Sequence, residues 1–411
     1  MAKIRPFSCV RPREDLAERI AALPYDVVSR EEATRIVEEN PYSFLRIDRA
    51  ETQLAPSVEL YDDAVYEKAK ETLEKMIADG SFQTEETPCY YLYELTMKGR
   101  SQTGIVGCAS LDDYLNGVIK KHENTRVEKE EDRTRHVETC RAQTGPIFLA
   151  YRENDRITSI QNEKKKEKPL YAFVSADGIR HRVWRIGEED LIRRISMIFR
   201  DISDIYIADG HHRAASAVKA GIRRRAANPC YTGEEEFNYF LSVLFSDREL
   251  MILDYNRVVR DLNGYTEQEF LHSLEQEFFV EKKGNVPYKP ERKGRIGMYL
   301  NHKWYRLEKK EGKEPQTPVE TLDVSELQGK ILGPILEIQD PKTNPRIQFV
   351  GGIRGLGELE RLVDENGGVA FAMYPTSMEE LFAVADVGLL MPPKSTWFEP
   401  KLRSGLFIHR F

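Results

Sequence analysis

The sequence lacks the features that mark membrane, secreted, zinc-binding or nucleic-acid-binding proteins. No apolar run approaches the length of a membrane-spanning helix, and the first residues lack the apolar segment of a signal peptide. The five cysteines are scattered without a CxxC pair, which argues against a disulfide framework and against a zinc site. The formal net charge of -7 provides no positive field for nucleic acid. We therefore expect a cytoplasmic protein with reduced thiols and with no membrane or nucleic-acid partner.

The sequence also lacks internal repeats and low-complexity tracts, and its length predicts more than one domain. A chain of 411 residues exceeds what one ordinary hydrophobic core accommodates. Helical and strand patterns alternate along it, which predicts an α+β protein with further α/β regions before and after a central core. We place the three regions at 1–115, 116–245 and 246–411.

Apolar periodicity and turn residues predict several individual elements. They are a helix over 31–39 capped by Ser29, a helix over 61–79, a hairpin of strands 90–97 and 103–109, a hairpin over 295–307, a helix over 377–385 and a strand over 387–391. The charge-rich segment 161–168 predicts a solvated loop or hairpin tip.

The most informative segment is Asp209-Gly-His-His-Arg213, between a predicted strand and a predicted helix. Residues 204–208 form a bounded run of β-branched, aromatic and small residues, which is typical of a buried strand. Residues 214–220 carry a helical apolar face, and Gly221 stands where the C-terminus of a helix is expected. Asp209-Gly210 predicts a turn, and Asp209 is also a candidate cap for the helix.

This segment concentrates positive groups at the start of the predicted helix. The free N–H groups of a first turn already carry partial positive charge, so His211, His212 and Arg213 are unfavourable there unless an anion binds. A helix N-terminus beside a guanidinium is a good oxyanion site, so the segment, with Gly210 in its turn, predicts phosphate or nucleotide binding. The alternative is structural: Arg213 reaches back to a nearby carboxylate, and the histidines cover the helix end.

A second charged stretch, residues 118–136, contains further candidates. If residues 128–140 are helical, Lys129, Arg133 and His136 share one face, which suits a polyphosphate. Glu123, in the preceding turn, is a candidate general base or magnesium ligand. The alternative is a solvated helix with weak ion pairs. Core-like strands on both sides of the stretch favour a site, which we expect to share one cleft with residues 209–213.

Three groups of motifs resemble a bacterial and archaeal family, the domain of unknown function 1015. The first is Ala-Ala-Leu-Pro-Tyr-Asp-Val-Val-Ser at 21–29 with Asn-Pro-Tyr-Ser-Phe-Leu at 40–45. The second runs from Asp112 to Glu123 and through Arg126 and Arg133 to Ala-Gln-Thr-Gly-Pro at 142–146. The third is residues 209–213 with Met-Pro-Pro-Lys-Ser-Thr-Trp-Phe-Glu-Pro-Lys-Leu-Arg-Ser-Gly at 391–405. The resemblance covers essentially the whole chain.

The Asp-Gly-x-His-Arg pattern is also similar to the phosphate-binding turn of the ParB and sulfiredoxin-like superfamily, which implies a core of that fold. Sulfiredoxins have a reactive cysteine before the His-Arg pair, whereas this sequence has His211, which argues against sulfinic-acid repair. The superfamily includes free-serine kinases, which phosphorylate L-serine with ADP or ATP and magnesium. The resemblance therefore implies a phosphotransferase, with Glu123 as the equivalent of the kinases' catalytic glutamate.

The implied roles divide between catalysis and phosphate binding. Glu123 would accept the serine hydroxyl proton, with Asp209 as the alternative base, and both carboxylates are candidate Mg²⁺ ligands. His212 and Arg213 would neutralise charge on the phosphoryl oxygens. The remaining candidates for binding the nucleotide phosphates or the serine carboxylate are Gly210, His211, Lys120, Lys121, His122, Arg126 and Arg133.

Three other functions remain compatible with the same motifs. A phosphatase or nucleotidase would use the same oxyanion cradle with an ordered water. A ParB-like nucleotide-switched DNA binder is disfavoured by the acidic charge and by the lack of a helix-turn-helix pattern. A non-catalytic nucleotide sensor would bind without turnover.

Overall fold

The structure is a computed structural model that describes residues 1–310 and 314–411. Contacts divide the chain into two compact units, residues 1–250 with 400–411 and residues 251–399. The regions proposed from sequence have boundaries after residues 115 and 245. In the structure, strands from both sides of residue 115 belong to one sheet, and residues 400–411 belong to the first unit. Among the described residues, no helix is long and apolar enough to cross a bilayer.

The α-helices are α1 (Ala17–Ile20), α2 (Arg30–Glu39), α3 (Leu45–Asp48), α4 (Asp63–Ala78), α5 (Leu111–Leu115), α6 (Val127–Cys140), α7 (Asp155–Lys164), α8 (Glu189–Arg200), α9 (His211–Ala227), α10 (Glu267–Glu277), α11 (Asp323–Leu327), α12 (Leu356–Asn366) and α13 (Met378–Asp386).

The strands are β1 (Ile4–Arg5), β2 (Val10–Pro12), β3 (Phe82–Thr84), β4 (Tyr90–Met97), β5 (Arg100–Ser110), β6 (Ile119–Lys120), β7 (Ala142–Gln143), β8 (Ile147–Tyr151), β9 (Tyr171–Val174), β10 (Arg180–Ile186), β11 (Ile205–Asp209), β12 (Tyr239–Ser246), β13 (Ile252–Leu253), β14 (Tyr255–Val259), β15 (Phe278–Gly284), β16 (Arg295–Leu300), β17 (Lys303–Lys309), β18 (Ile347–Gly351), β19 (Val369–Ala372), β20 (Trp397–Phe398) and β21 (His409–Arg410).

The first unit is built around a nine-stranded mixed sheet. Its strands lie in the order β6-β11-β8-β12-β5-β4-β10-β9, and β1 pairs with β5. β6 runs parallel to β11 and β8 runs parallel to β12, whereas the other pairs of this sheet are antiparallel. A mixed sheet packed with helices confirms the α+β class predicted from the sequence.

Two hydrophobic cores stabilise the first unit. One core joins the sheet to α7, α8 and α9, and it includes Leu149, Ile207 and Val218. The other core joins α2, α3 and α4 with the end of α6, and it includes Leu73 and Cys140. Removing apolar surface from water stabilises such cores by roughly 25 cal/mol per Å². The second core therefore holds the N-terminal helices against α6.

The second unit contains a six-stranded antiparallel sheet in the order β15-β17-β16-β19-β14-β18. Its core includes Trp304 and Val258 from the sheet and Leu359 and Val363 from α12. The hairpin predicted over 295–307 is confirmed as β16 and β17.

Several predicted elements are confirmed, and their caps show why they form. Ser29 caps α2: its hydroxyl accepts from the Glu32 N–H, and the Glu32 carboxylate accepts from the Ser29 N–H. Ser377 and Glu380 make the same reciprocal cap at α13. The hairpin of residues 90–97 and 103–109 is present as β4 and β5. Such caps satisfy N–H groups that a first turn leaves unpaired.

Two predictions were wrong: α7 continues into the first segment, and the second segment turns back onto the end of α13. Residues 161–164 form the last turn of α7, where Lys164 is 5% exposed and pairs with Glu167 and Glu188. Only residues 165–168 lie outside the helix. The predicted strand at 387–391 is instead a turn and irregular segment after α13, in which the Gly388 and Leu389 N–H groups bond back to carbonyls of the helix.

Gly221 does not end the helix that follows residues 209–213. α9 continues to Ala227, and Gly221 is buried within it. A Cβ atom at Gly221 would lie 2.3 Å from Leu111 Cδ1 and 2.6 Å from the Phe237 carbonyl oxygen. Glycine is therefore required for close packing at this position and not for a helix C-terminus.

We expect Gly221→Ala to lower stability although alanine is the better helix former. The gain in helix propensity is at most about 1 kcal/mol, whereas overpacking against an immobile backbone oxygen costs about 1–3 kcal/mol. Gly357→Ala is the matched control, because no atom lies within 4 Å of the added Cβ in α12. Calorimetric melting should show a lower transition temperature for Gly221→Ala and no decrease for Gly357→Ala. An unchanged transition in Gly221→Ala would contradict the packing explanation.

Candidate functional site

The Asp-Gly-His-His-Arg segment lies at a junction between a strand and a helix, as its sequence predicted. β11 ends at Asp209, and Gly210 is the N-cap of α9 with a φ of 91°. This left-handed conformation favours glycine, and a Cβ there would also lie 3.0 Å from the Arg213 guanidinium. The predicted cap by Asp209 is wrong, because Gly210 occupies the N-cap position and has no side chain to cap the helix. The N–H groups of the first turn therefore receive no cap from the N-cap residue itself.

Asp209 instead faces two cations. Its Oδ2 lies 3.3 Å from Arg213 Nη2 and 3.6 Å from Lys401 Nζ. Arg213 also donates to the Pro146 carbonyl oxygen through Nη1. Part of the structural alternative is thus realised, because Arg213 reaches back to a carboxylate. Lys401 lies in a motif that carried the family resemblance, but its spacing gave no sign of this contact.

The pairing of β6 with β11 brings residues 122–126 to the start of α9. These two strands are parallel, with Ile119 opposite Ile205, so their C-terminal ends meet at one edge of the sheet. The His122 backbone N–H donates to His211 Nε2 at 3.5 Å, and the two rings lie 4.5 Å apart, edge to face. The predicted proximity of the two stretches is confirmed.

His211 and His122 are both buried and neutral. Burial lowers the pKa of His122 to about 4, and burial beside His122 holds the pKa of His211 well below its usual value. Because Nε2 of His211 accepts a hydrogen bond, the ring proton is on Nδ1. His211 therefore adds no cation to the first turn, contrary to the expectation from sequence.

Glu123 and Arg126 approach the two histidines of α9 from the other loop. One carboxylate oxygen of Glu123 lies 3.9 Å from His211 Nδ1, which is beyond hydrogen-bond distance, and the side chain is 30% exposed. The Arg126 backbone N–H donates to His212 Nε2 at 3.0 Å. His212 is thus placed by a main-chain contact.

The other basic candidates have different surroundings. Lys120 pairs with Asp204 at 2.9 Å, and Lys121 lies over the Tyr114 ring at 4.8 Å. Arg133 pairs with its neighbour Asp132 and lies over the Tyr25 ring. Arg133 lines the same cavity as Arg213 of the first turn of α9. After burial, the positive charge of Lys121 is one of the smaller causes that lower the pKa of His211. The assignment of Lys120, Lys121 and Arg133 to nucleotide phosphates stays a prediction.

The helix predicted over 128–140 is confirmed as α6, but its predicted basic face is not exposed. Lys129 is exposed, whereas Arg133 is only 12% exposed and His136 is buried. α6 packs on α9, where the Ser216 hydroxyl donates to the Glu130 carbonyl oxygen at 3.0 Å. This packing turns residues 133 and 136 toward the protein interior and leaves them unable to form a polyphosphate surface.

A narrow cavity adjoins Arg213 and contains residues that the sequence did not single out. Asp48 and Thr144 line it together with Arg133 and Arg213, and Ser404 lies on its wall. Thr144 and Ser404 belong to motifs that carried the family resemblance, and this membership is the sequence feature that could have marked them as site residues. Asp48 lies outside those motifs, and no local pattern marks it.

The acidic residues near the site do not form a metal cluster by themselves. Among residues 1–310 and 314–411, no group of three or more His, Cys, Asp or Glu side chains is arranged to hold a metal ion. All five cysteines are free thiols, as the sequence predicted.

Comparison with known proteins identifies the family. A family model described as "Protein of unknown function (DUF1015)" matches residues 4–325. The chain belongs to the DUF1015 family. The match includes all the candidate residues from Lys120 to Arg213. Among curated proteins, no sequence match to this DUF1015 chain was found.

Solved structures similar to this DUF1015 chain include three of low identity. A free serine kinase variant in complex with AMP is 13% identical with a TM-score of 0.38, and the match covers 74% of this chain and 92% of the other. A conserved hypothetical protein from Pyrococcus furiosus is 15% identical with a TM-score of 0.36, covering 74% and 94%. SbnI with a C-terminal truncation, from Staphylococcus aureus, is 12% identical with a TM-score of 0.38, covering 74% and 87%.

We expect stability to decrease as the pH falls from about 6.5 toward 4, because the folded protein keeps His122 and His211 neutral. In the unfolded chain each imidazole titrates near pH 6.5, while the folded pKa of His122 is about 4 and that of His211 is well below its usual value. The unfolded state therefore binds more protons in this window. The stabilising contribution of the two neutral histidines is complete above about pH 6.5 and is lost as the pH falls through their folded pKa values.

Melting temperatures between pH 4.5 and 7.5 test this expectation. Each additional proton that the unfolded state binds lowers the free energy of unfolding by at most about 1.4 kcal/mol for each pH unit of decrease. His122→Gln should therefore flatten the dependence of melting temperature on pH. His272→Gln is the control, because His272 is 77% exposed, and its curve should run parallel to that of the unmodified protein. A His122→Gln curve as steep as the unmodified one would rule out a neutral, buried His122 as the cause.

Proposed function

We propose that this protein is a phosphotransferase that moves a phosphoryl group from ATP or ADP to a small hydroxyl acceptor, with free L-serine as the preferred acceptor. The observation that carries the proposal is the contact between the 122–126 loop and the first turn of α9. It brings the partly exposed carboxylate of Glu123 close to His211 of the first turn, the helix end to which we assign the anion. The Asp-Gly-x-His-Arg turn, similar to that of free-serine kinases, supports the choice of reaction.

The start of α9 is suited to hold the transferred phosphoryl group. α9 is 17 residues long, and its N-terminus carries the positive end of the helix dipole. Gly210 leaves the N–H groups of the first turn without a side-chain cap, so phosphate oxygens would accept from them. In this proposal His212 lies beside the bound phosphate, with its ring held through Nε2 by the Arg126 N–H.

Glu123 is the proposed general base. A proton acceptor must reach the attacking hydroxyl, and the 30% exposure of Glu123 is consistent with access to a bound substrate. His211 Nδ1 lies 3.9 Å from this carboxylate, and the neutral ring forms no ion pair that would keep Glu123 from accepting a proton.

Magnesium fits the residues present if the nucleotide supplies further ligands. Mg²⁺ is commonly held by one or two carboxylates together with substrate phosphates. Asp209 would hold it, since Glu123 is assigned to the proton. Arg213 and Lys401 beside Asp209 weaken its affinity for a bare ion, so most other ligands must come from phosphate and water. The ion would neutralise charge on the phosphate oxygens.

The proposed reaction is a direct in-line transfer. The serine hydroxyl oxygen forms a bond to the terminal phosphorus, and the bond from that phosphorus to the bridging oxygen breaks. The electron pair stays on the bridging oxygen of the departing ADP or AMP, and the hydroxyl proton goes to Glu123. Catalysis then depends on positioning and on charge neutralisation by the protein.

Incubating the protein with L-serine, MgCl₂ and either ATP or ADP tests the proposal. Mass spectrometry should detect O-phospho-L-serine together with one equivalent of ADP or AMP. No phosphoserine from either donor would overturn it. Serine-independent release of inorganic phosphate would favour the phosphatase or nucleotidase alternative, and nucleotide binding without any product would favour a sensor.

We expect Glu123→Gln to keep nucleotide binding and to lower turnover by about 10²- to 10⁴-fold, the usual contribution of a general base. Glu138→Gln is the matched control, because Glu138 makes a partly exposed ion pair with Arg223 on the α6–α9 surface, and such pairs contribute little. Calorimetry measures binding, and phosphoserine formation measures turnover. Full turnover by Glu123→Gln would move the base elsewhere, with Asp209 as the next candidate.

A further inference from the structure

The cavity beside Arg213 has a polar wall and a small volume. Its volume is about 30 Å³. Ligand pockets for larger organic molecules usually offer several hundred Å³ of usable space. This cavity has room for about two water molecules, so it suits only the narrow polar end of a small ligand and is too small for a nucleotide.

Asp48 supplies a buried negative charge to the cavity. It ends α3, is 5% exposed, and accepts a hydrogen bond from the Thr144 hydroxyl through Oδ1 at 2.7 Å. Within residues 1–310 and 314–411, no donor is hydrogen-bonded to its Oδ2. Oδ2 can therefore accept a hydrogen bond from a ligand.

Two arginines on the same wall each have an N–H donor whose hydrogen bond within the protein is long. Arg133 pairs with Asp132 through Nε and Nη2, while its Nη1 reaches only the Asp48 carbonyl oxygen at 3.4 Å. Arg213 Nη2 lies 3.3 Å from Asp209. Both distances are long for charged hydrogen bonds, which are usually 2.7–2.9 Å. A carboxylate in the cavity would provide a closer acceptor.

The charges on the wall favour one class of ligand. His136 adds no charge, because burial and the neighbouring Arg133 lower its pKa. A phosphate dianion would be repelled by Asp48, and a simple amine would be repelled by Arg133 and Arg213. A ligand with no net charge that carries both an ammonium and a carboxylate matches both parts of the wall.

We propose that this cavity binds the zwitterionic end of a small α-amino acid, with the ammonium at Asp48 Oδ2 and the carboxylate at Arg133 and Arg213. The inference rests on the proposed function for the identity of the acceptor and adds the residues that select it. Arg213 belongs to both the cavity wall and the first turn of α9. An amino acid held there therefore lies next to the proposed phosphate cradle.

Three ligands that share a hydroxyl group but differ in charge test the proposal. L-Serine carries both charged groups, 3-hydroxypropanoate lacks the ammonium, and ethanolamine lacks the carboxylate. Calorimetric titration of each into the full-length protein, with and without AMP, should show L-serine binding roughly 10- to 100-fold more tightly than either analogue, as expected for one lost charged hydrogen bond. Equal affinity for L-serine and either analogue, or no binding of L-serine under either condition, would overturn the proposal.

The variant Asp48→Asn tests the assigned residue. It should abolish the preference for L-serine over 3-hydroxypropanoate while AMP affinity stays unchanged. Asp190→Asn is the control, because Asp190 is 84% exposed on α8, and it should keep the full preference. If Asp48→Asn does not fold, the ligand series on the unmodified protein still decides the proposal.

The two proposals fail in different ways. Preferential L-serine binding without phosphoserine formation would refute the kinase and leave the amino-acid site standing. Phosphoserine formation by Asp48→Asn with unchanged KM and unchanged acceptor selectivity would refute the amino-acid site and leave the kinase standing.

Discussion

The parallel pairing of β6 with β11 is the constraint on which the candidate site depends. It brings two chain segments about ninety residues apart to the same sheet edge, where the His122 N–H bonds to His211 and the Arg126 N–H bonds to His212. A change of one residue in this register would turn the alternating side chains to opposite faces of the sheet. The packing of α6 on α9 holds the same arrangement from the helical side.

The first turn of α9 carries less unpaired positive charge than its sequence suggests. Of the three basic side chains in the first turn, His211 is neutral through burial, and Arg213 is paired with Asp209. In the proposed site, the helix dipole therefore provides more of the attraction for a phosphate than side-chain charge does.

Arg213 links the two proposed subsites. It shares the first turn of α9 with the phosphate cradle, and its guanidinium lines the cavity that also contains Asp48. Placing acceptor and donor subsites on one rigid helix end lowers the entropic cost of bringing two substrates together. The N-terminal helices contribute to this arrangement because the core shared with α6 fixes the end of α3, where Asp48 lies.

Patterns within ten or twenty residues allowed much of the secondary structure to be predicted. The Ser29 cap, the β4–β5 hairpin and the strand–turn–helix at 205–213 follow from local hydrogen bonding and periodicity. Errors arose where distant contacts override local preference. Lys164 remains helical because Glu188 pairs with it, and Gly221 stays inside α9 because Leu111 and Phe237 leave no room for a side chain.

The sequence by itself determined the α+β class, the position of the Asp-Gly-His-His-Arg turn and the residues of its first helical turn, because these depend on neighbouring residues. It also indicated Glu123 as a partner for that turn. Only the tertiary structure decided that Arg133 and His136 face the interior, that Lys401 contacts Asp209, and that Asp48 joins Arg213 at one cavity. These outcomes depend on strand pairing and helix packing between segments far apart in the chain, and burial then sets which side chains carry charge.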